Sequence, residues 1–215
     1  MADANAGMID VSRSRRALLV VAAVAVGLAY GYLTAHIPSP HDAGVFWVSN
    51  LSAPWLALAF LAGWPQRSRP WGALAGCCAD VACVVGFYAQ FFTLGDHDRL
   101  GLSPTTPVAE RLAVDFAGWV SFAAPWLLAA VVAGAAFGYL GACWGKSRSP
   151  IAGLLLAAAF VFEFAAWYLY YRALWPPRSI WLAEVSFGVL LLAGVLAAIC
   201  RRGRATRSRS TSAST

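Results

Sequence analysis

Long apolar runs, broken by short polar stretches rich in arginine, dominate this chain. Six of the runs are long enough to form helices that cross a membrane: 17–35, 44–64, 71–94, 115–144, 150–173 and 181–200. A crossing takes about 20 helical residues for about 30 Å of hydrocarbon. The run at 115–144 exceeds that and calls for tilt or an interfacial end. None of the six alternates polar and apolar positions as the strands of a membrane barrel do. The pattern predicts an all-α membrane protein. It is read as a six-helix transmembrane bundle flanked by a basic N-terminal segment (1–16) and a polar tail (201–215).

The polar stretches set an orientation. Arg13, Arg15 and Arg16 precede the first span, and Arg67 and Arg69 separate the second from the third. Lys146 and Arg148 lie between the fourth and fifth, and Arg201, Arg202, Arg204, Arg207 and Arg209 follow the sixth. These are twelve of the sixteen basic residues, all on one side of an even number of spans. Arg99, Arg111, Arg172 and Arg178 remain for the other side. By the positive-inside rule the first group is cytoplasmic, with both termini, in the cell membrane. The first apolar run exceeds the roughly 7–15 residues of a signal peptide. Tyr32-Leu33-Thr34-Ala35 is also a poor cleavage site, so the run is read as a retained helix. The tail is basic and rich in Ser and Thr, which predicts disorder and attraction to anionic lipid headgroups. The longest outer connection, 95–114, carries Asp96, His97 and Asp98 and reads as a solvated loop or a lid.

Composition narrows the classes further. Hydrophobic residues make up 60% of the chain and charged ones 12%, against roughly 25% charged in soluble domains. The mean hydropathy is +0.64. A net charge of +6 in a soluble protein would suggest nucleic acid. Here the basic residues lie between apolar runs, so lipid headgroups fit and no nucleic-acid partner is expected. The five cysteines (Cys77, Cys78, Cys83, Cys143, Cys200) have no CxxC spacing and read as small packing residues. His36, His41 and His97 lack metal-ligand spacing. No nucleophile elbow, phosphate loop, dinucleotide fingerprint or zincin motif occurs. Neither a metal, a cofactor nor an enzymatic activity is expected. Asn50-Leu51-Ser52 matches a glycosylation sequon but falls inside an apolar run.

The candidate chemistry is inside the spans. Trp47-Val48-Ser49-Asn50-Leu51-Ser52-Ala53-Pro54-Trp55-Leu56 resembles Trp119-Val120-Ser121-Phe122-Ala123-Ala124-Pro125-Trp126-Leu127 with one residue deleted. Each copy leads into an Ala/Gly-rich run, a short basic loop and another span. Val185-Ser186-Phe187 is a weaker third echo. The copies share an orientation, which predicts an internal repeat of helical hairpins about an axis near the membrane normal. Pro54 and Pro125 are expected nine or ten residues into their helices, where each removes an amide and frees the carbonyl of Asn50 or Ser121. The functional reading is a kinked pair opening a cavity lined by Asn50, Ser49 and Ser121. The structural one is a packing kink beside Trp55 and Trp126.

Asp80 and Glu163 fall near the middle of the third and fifth spans, with no lysine or arginine at that depth. Such a carboxyl is costly in hydrocarbon and faces a bundle interior or an aqueous cavity. Each is protonated, hydrogen-bonded to a neutral group, or a site for a cation; proton coupling, ion binding and interhelical bonding all remain open. Aromatics cluster outward of the acids and read mainly as an interfacial belt. Tyr88 and Tyr168 lie deeper and are candidate pocket walls, with an aromatic cage for a quaternary amine one option. Glu184 reads as an outer-surface partner of Arg172 or Arg178. Ala23, Gly27, Gly31 and Ala35 form a small-residue stripe on the first helix, for close packing within the chain or against a partner helix.

The stretches WVSNLSAPWLALAFLAGW with RPWGALAGCCADVACVVGFYAQ, and WVSFAAPWLLAAVVAGAAFGYLG with SPIAGLLLAAAFVFEFAAWYLYYR, carry a resemblance. Across helices 2 to 5 the chain resembles a bacterial domain-of-unknown-function family of small multi-pass membrane proteins with an S-x-x-x-P-W element. The resemblance implies a multi-pass protein and supplies no activity. In size, number of spans and small-residue first helix the chain is also similar to substrate-capture subunits of energy-coupling transporters. The functional expectation is a small-molecule or ion transporter or ligand-binding subunit that uses its buried acids. The alternative is a scaffold or accessory subunit without a substrate of its own.

Overall fold

The computed structural model describes residues 2–35, 52–89, 107–171 and 178–212; within these, the side chains of 2–13, 111, 167–168, 170–171, 178–179 and 202–212 are not described. The described residues form six α-helices: α1 (Ala2–Ala35), α2 (Ser52–Gly63), α3 (Arg69–Tyr88), α4 (Val108–Ser147), α5 (Pro150–Tyr171) and α6 (Arg178–Ser212). A 3-10 turn, Trp64–Gln66, follows α2, and no strand occurs among the described residues. Four stretches are long and apolar enough to cross a membrane: Ser14–Ala35, Arg69–Tyr88, Val108–Ser147 and Ile180–Arg201. In α5 the apolar stretch is shorter, Pro150–Ala166. The span expected at 44–64 is described only from Ser52 onward.

Three helix ends differ from the hydropathy pattern. α1 continues back through the basic segment to Ala2, and α6 continues through Arg201 to Ser212, where composition predicts disorder. Alanine and arginine are good helix formers, and lengthening an existing helix needs no new nucleus. α4 starts at Val108, inside the stretch read as an outer loop, and runs for 40 residues. That is about 60 Å at 1.5 Å per residue, twice the hydrocarbon thickness, so part of it projects beyond the apolar layer.

α3 is the central helix, packed between α1 and α4, while α2 lies against α3 and α4. α5 and α6 pair with each other, and α5 also touches α2 and α4. The interior is built from small residues: Ala59, Ala75, Ala79, Ala142 and Ala157 are fully buried. Leu169 and Leu190 are 76% and 70% exposed, and Phe162 and Val132 are exposed as well. Large apolar side chains outside and alanines inside are what helices do in lipid, where close van der Waals contact drives association. Between α3 and α4 a Cβ on Gly138 would stand 2.8 Å from the Cα of Gly76, too close for any side chain. Gly27 and Gly31 abut Ala79 and Cys83 in the same way. Gly27 and Gly31 of the α1 stripe therefore meet α3 within the chain.

The repeated hairpins share their turns. Arg67 and Arg148 have φ of 52° and 51°, the two positive values among described non-glycine residues. Each is followed by a serine and then by a helix with proline in its first two positions, where the missing amide breaks no ladder bond. The arms differ in length: Trp55 to Arg67 is a step of 12 residues and Trp126 to Arg148 a step of 22. The second arm is thus about 15 Å longer. At this end of the bundle the Arg148 guanidinium sits 5.4 Å from the Trp64 ring centre and 5.8 Å from that of Trp144. Arg15, Arg16 and Arg67 line an open cleft with Trp64 and Gln66. Basic residues distant in sequence gather at one end.

Candidate functional site

Asp80, Glu163 and Ser52 lie 11, 13 and 11 residues from Arg69, Pro150 and Gly63, the ends of their helices nearest the basic turns. That places all three about 16–20 Å along their helices, near mid-membrane. Their surroundings differ sharply.

Asp80 is 2% exposed on the face of α3 that meets α4. Gly134 of α4 makes the room: a Cβ there would stand 2.9 Å from the Asp80 Cβ and 3.1 Å from its Oδ2. Oδ1 is buried and meets no donor among the described residues. The residue lines a cavity of about 210 Å³ between α2, α3 and α4. Ser52, Trp55 and Leu56 of α2, Val84, Phe87 and Tyr88 of α3, and Trp126 of α4 form the rest of its wall, with three alanines. Trp55 and Phe87 meet edge to face at 6.0 Å between ring centres, and Phe87 and Tyr88 at 5.1 Å. The indole N–H of Trp55 is also buried without an acceptor. Two residues of the same partly aromatic wall, Asp80 and Trp55, thus each bury a polar atom without a partner among the described residues.

Glu163 is 7% exposed and fully engaged. Its Oε1 accepts the backbone N–H of Ser52, and its Oε2 accepts that of Ala53 at 2.7 Å. Amides in the first turn of a helix have no carbonyl four residues back to bond, and in hydrocarbon no water replaces it. A carboxylate from α5 supplies both acceptors and opposes the positive end of the α2 dipole. Pro54 follows directly. It is the third residue of described α2; the residues before Ser52, on which its expected depth of nine or ten residues rests, lie outside the described ones. Pro125 is interior to α4.

The other candidates scatter. Ser121 is exposed and donates its hydroxyl to the Ala117 carbonyl at 2.9 Å, within its own helix and away from the cavity. Tyr88 is in the cavity wall. Asn50 and Ser49 lie outside the described residues, and Tyr168 is on α5 with its side chain outside them. Glu184 is 6% exposed and adjoins Glu163; the side chains of Arg172 and Arg178, its expected partners, lie outside the described residues. Neither of its oxygens meets a donor among the described residues. Sequence reasoning missed Trp55 and Trp126 as cavity walls. The signal was the repeated Pro-Trp pair, which marks both, and which the fold brings to a single space. Phe87 was hidden among residues that resemble an interfacial belt.

Among the described residues no three His, Cys, Asp or Glu side chains converge as a metal site would require. The arrangement can bind, orient and exchange a charge. No curated protein and no solved structure matches the chain. The stretch from residue 10 to residue 97, which spans α1 to α3 with Asp80 and the first repeated hairpin, matches a family of unknown function, DUF6518.

Proposed function

We propose that this chain is a multi-pass protein of the cell membrane that binds a small organic cation in the Asp80 cavity, as a ligand-binding or transport subunit. The observation that carries the reading is the buried Asp80 oxygen left without a donor on a cavity walled by Trp55, Phe87, Tyr88 and Trp126. A carboxylate there needs a positive partner, and aromatic faces attract one through the ring quadrupole, most strongly where water is excluded. The volume of about 210 Å³ is below the roughly 300–1,000 Å³ of sites for drug-sized molecules, which favours an amine or quaternary ammonium group with few heavy atoms. The Trp55 N–H adds a donor for an oxygen on the same ligand.

Both termini are placed on the cytoplasmic side with the basic turns. The gathering of Arg15, Arg16, Arg67 and Arg148 at one end supports that orientation, because cytoplasmic ends collect arginine and face anionic headgroups. The basic stretch after Arg201 is placed against the same headgroups.

Equilibrium dialysis of the protein in nanodiscs against radiolabelled tetramethylammonium tests the binding. Saturable binding that falls at least tenfold in Asp80→Asn, and that an uncharged molecule of the same shape does not displace, is expected. Equal displacement by the uncharged molecule, or unchanged binding in Asp80→Asn, would defeat the reading.

A further inference from the structure

Glu163 and Glu184 come from the paired helices α5 and α6, are 7% and 6% exposed, and place their carboxyls side by side. Glu163 receives two amide protons from α2. These two bonds occupy both of its oxygens. Glu184 receives nothing: both oxygens are buried without a donor among the described residues. Trp181, one turn earlier on α6, also buries its indole N–H without an acceptor.

Among the described residues, the groups around the pair supply no positive charge. Tyr30 of α1 is within electrostatic reach of Glu163 and of Cys83 on α3, and Cys83 in turn of Asp80. Among the described residues, α2 brings no titratable side chain, and no group of α4 acts on Glu184. Two adjoining carboxylates cannot both stay ionised in such a place. A metal ion would call for further ligands, and no third His, Cys, Asp or Glu joins the two among the described residues. A proton needs only the two carboxyls.

We propose that Glu163 and Glu184 form a proton-binding site that holds one shared proton and loosens α2 when a second proton arrives. With one proton, Glu184 is the neutral partner and its O–H can turn to donate to the Glu163 carboxylate. The second proton adds to Glu163, forms an O–H there and removes its charge, so that its bonds to the Ser52 and Ala53 amides weaken. Ser52 also lines the Asp80 cavity, so the proton count at the pair reaches the cavity wall. The site goes beyond the cation reading and does not depend on any ligand.

Infrared difference spectroscopy and hydrogen exchange on the full-length protein in nanodiscs test it. At neutral pH a protonated-carboxyl band is expected that Glu184→Gln removes and Glu163→Gln retains. Exchange of the α2 amides, corrected for its intrinsic pH dependence, should rise at least about tenfold as acid adds a second band. In Glu163→Gln it should be fast at every pH. A neutral-pH spectrum without a band that Glu184→Gln removes overturns the shared proton. Exchange in α2 that is as slow in Glu163→Gln as in wild type overturns the link to α2. Thermal unfolding of each variant identifies any that fails to fold, and for those Glu184→Asp, which keeps the carboxyl and must keep the band, replaces the glutamine variant. Failure of tetramethylammonium to bind would leave these outcomes unchanged and would remove only the cation reading.

Discussion

Asp80 and Glu163 reach mid-membrane from different helices at nearly the same depth, and they end in opposite circumstances. Glu163 is held by two backbone amides that no other group can satisfy in hydrocarbon. Asp80 stands against a cavity with an oxygen that bonds nothing described. The contrast teaches that a lone acid in an apolar run can be either structural or functional, and that the deciding partner is often backbone. Glu163 is placed to stabilise α2. Asp80 is buried without such a partner among the described residues, at a cost in stability.

The contrast can be broken most severely at Glu163. Glu163→Ala leaves the Ser52 and Ala53 amides buried and unpaired, and should lower stability by about 3 kcal/mol or more. Glu163→Gln, which keeps one acceptor oxygen, should lose roughly half as much. Reversible unfolding in mixed micelles measures both, and an alanine variant as stable as wild type would remove Glu163 from its structural role. Next comes the spacing that lets α3 and α4 meet. Gly138→Leu must push Gly76 away and should cost about 1–3 kcal/mol, read in the same assay; since the cavity shares these two helices, its ligand should be lost as well.

At Asp80 the effects should separate. Asp80→Asn should change stability by less than about 1 kcal/mol, while the tenfold loss of cation affinity corresponds to about 1.4 kcal/mol. A large fall in stability there would make Asp80 a second structural acid and erase the contrast. The smallest effect concerns the two hairpin turns. Arg67→Gly relieves a left-handed residue that makes no described ring contact. Arg148→Gly relieves the same strain but gives up the contacts with Trp64 and Trp144, each of about 0.5–1 kcal/mol at exposed sites. The first variant should therefore be the more stable of the two by about 1 kcal/mol. Equal stabilities would mean that the Arg148 contacts contribute nothing.

Much of the architecture was legible beforehand because lipid imposes simple rules. Apolar runs of helical length, arginines between them and a stripe of small residues on α1 are one-dimensional signals, and the helices, the basic end and a close helix contact on α1 follow from them, though not which helix makes it. The repeat was legible too, since Arg67 and Arg148 adopt the same left-handed turn. Its unequal arms were partly visible, in the differing distance from each Pro-Trp pair to its basic turn. Less accessible were the ends of α1, α4 and α6, where helix propagation overrides the polar composition.

The sequence by itself determined that the chain is helical, that its helices suit a membrane, and that two acids lie near mid-depth without a basic partner. Only the tertiary structure decided what those acids meet. Periodicity can put Glu163 on a helix, but it cannot say that the first turn of α2 will stand opposite with two amides to satisfy. Nor can it say that Glu184 will turn inward to join Glu163, or that Trp55 and Trp126, 71 residues apart, will wall one cavity around Asp80. Hydrogen bonds and close packing depend on positions brought together from distant parts of the chain, and local pattern carries no record of them.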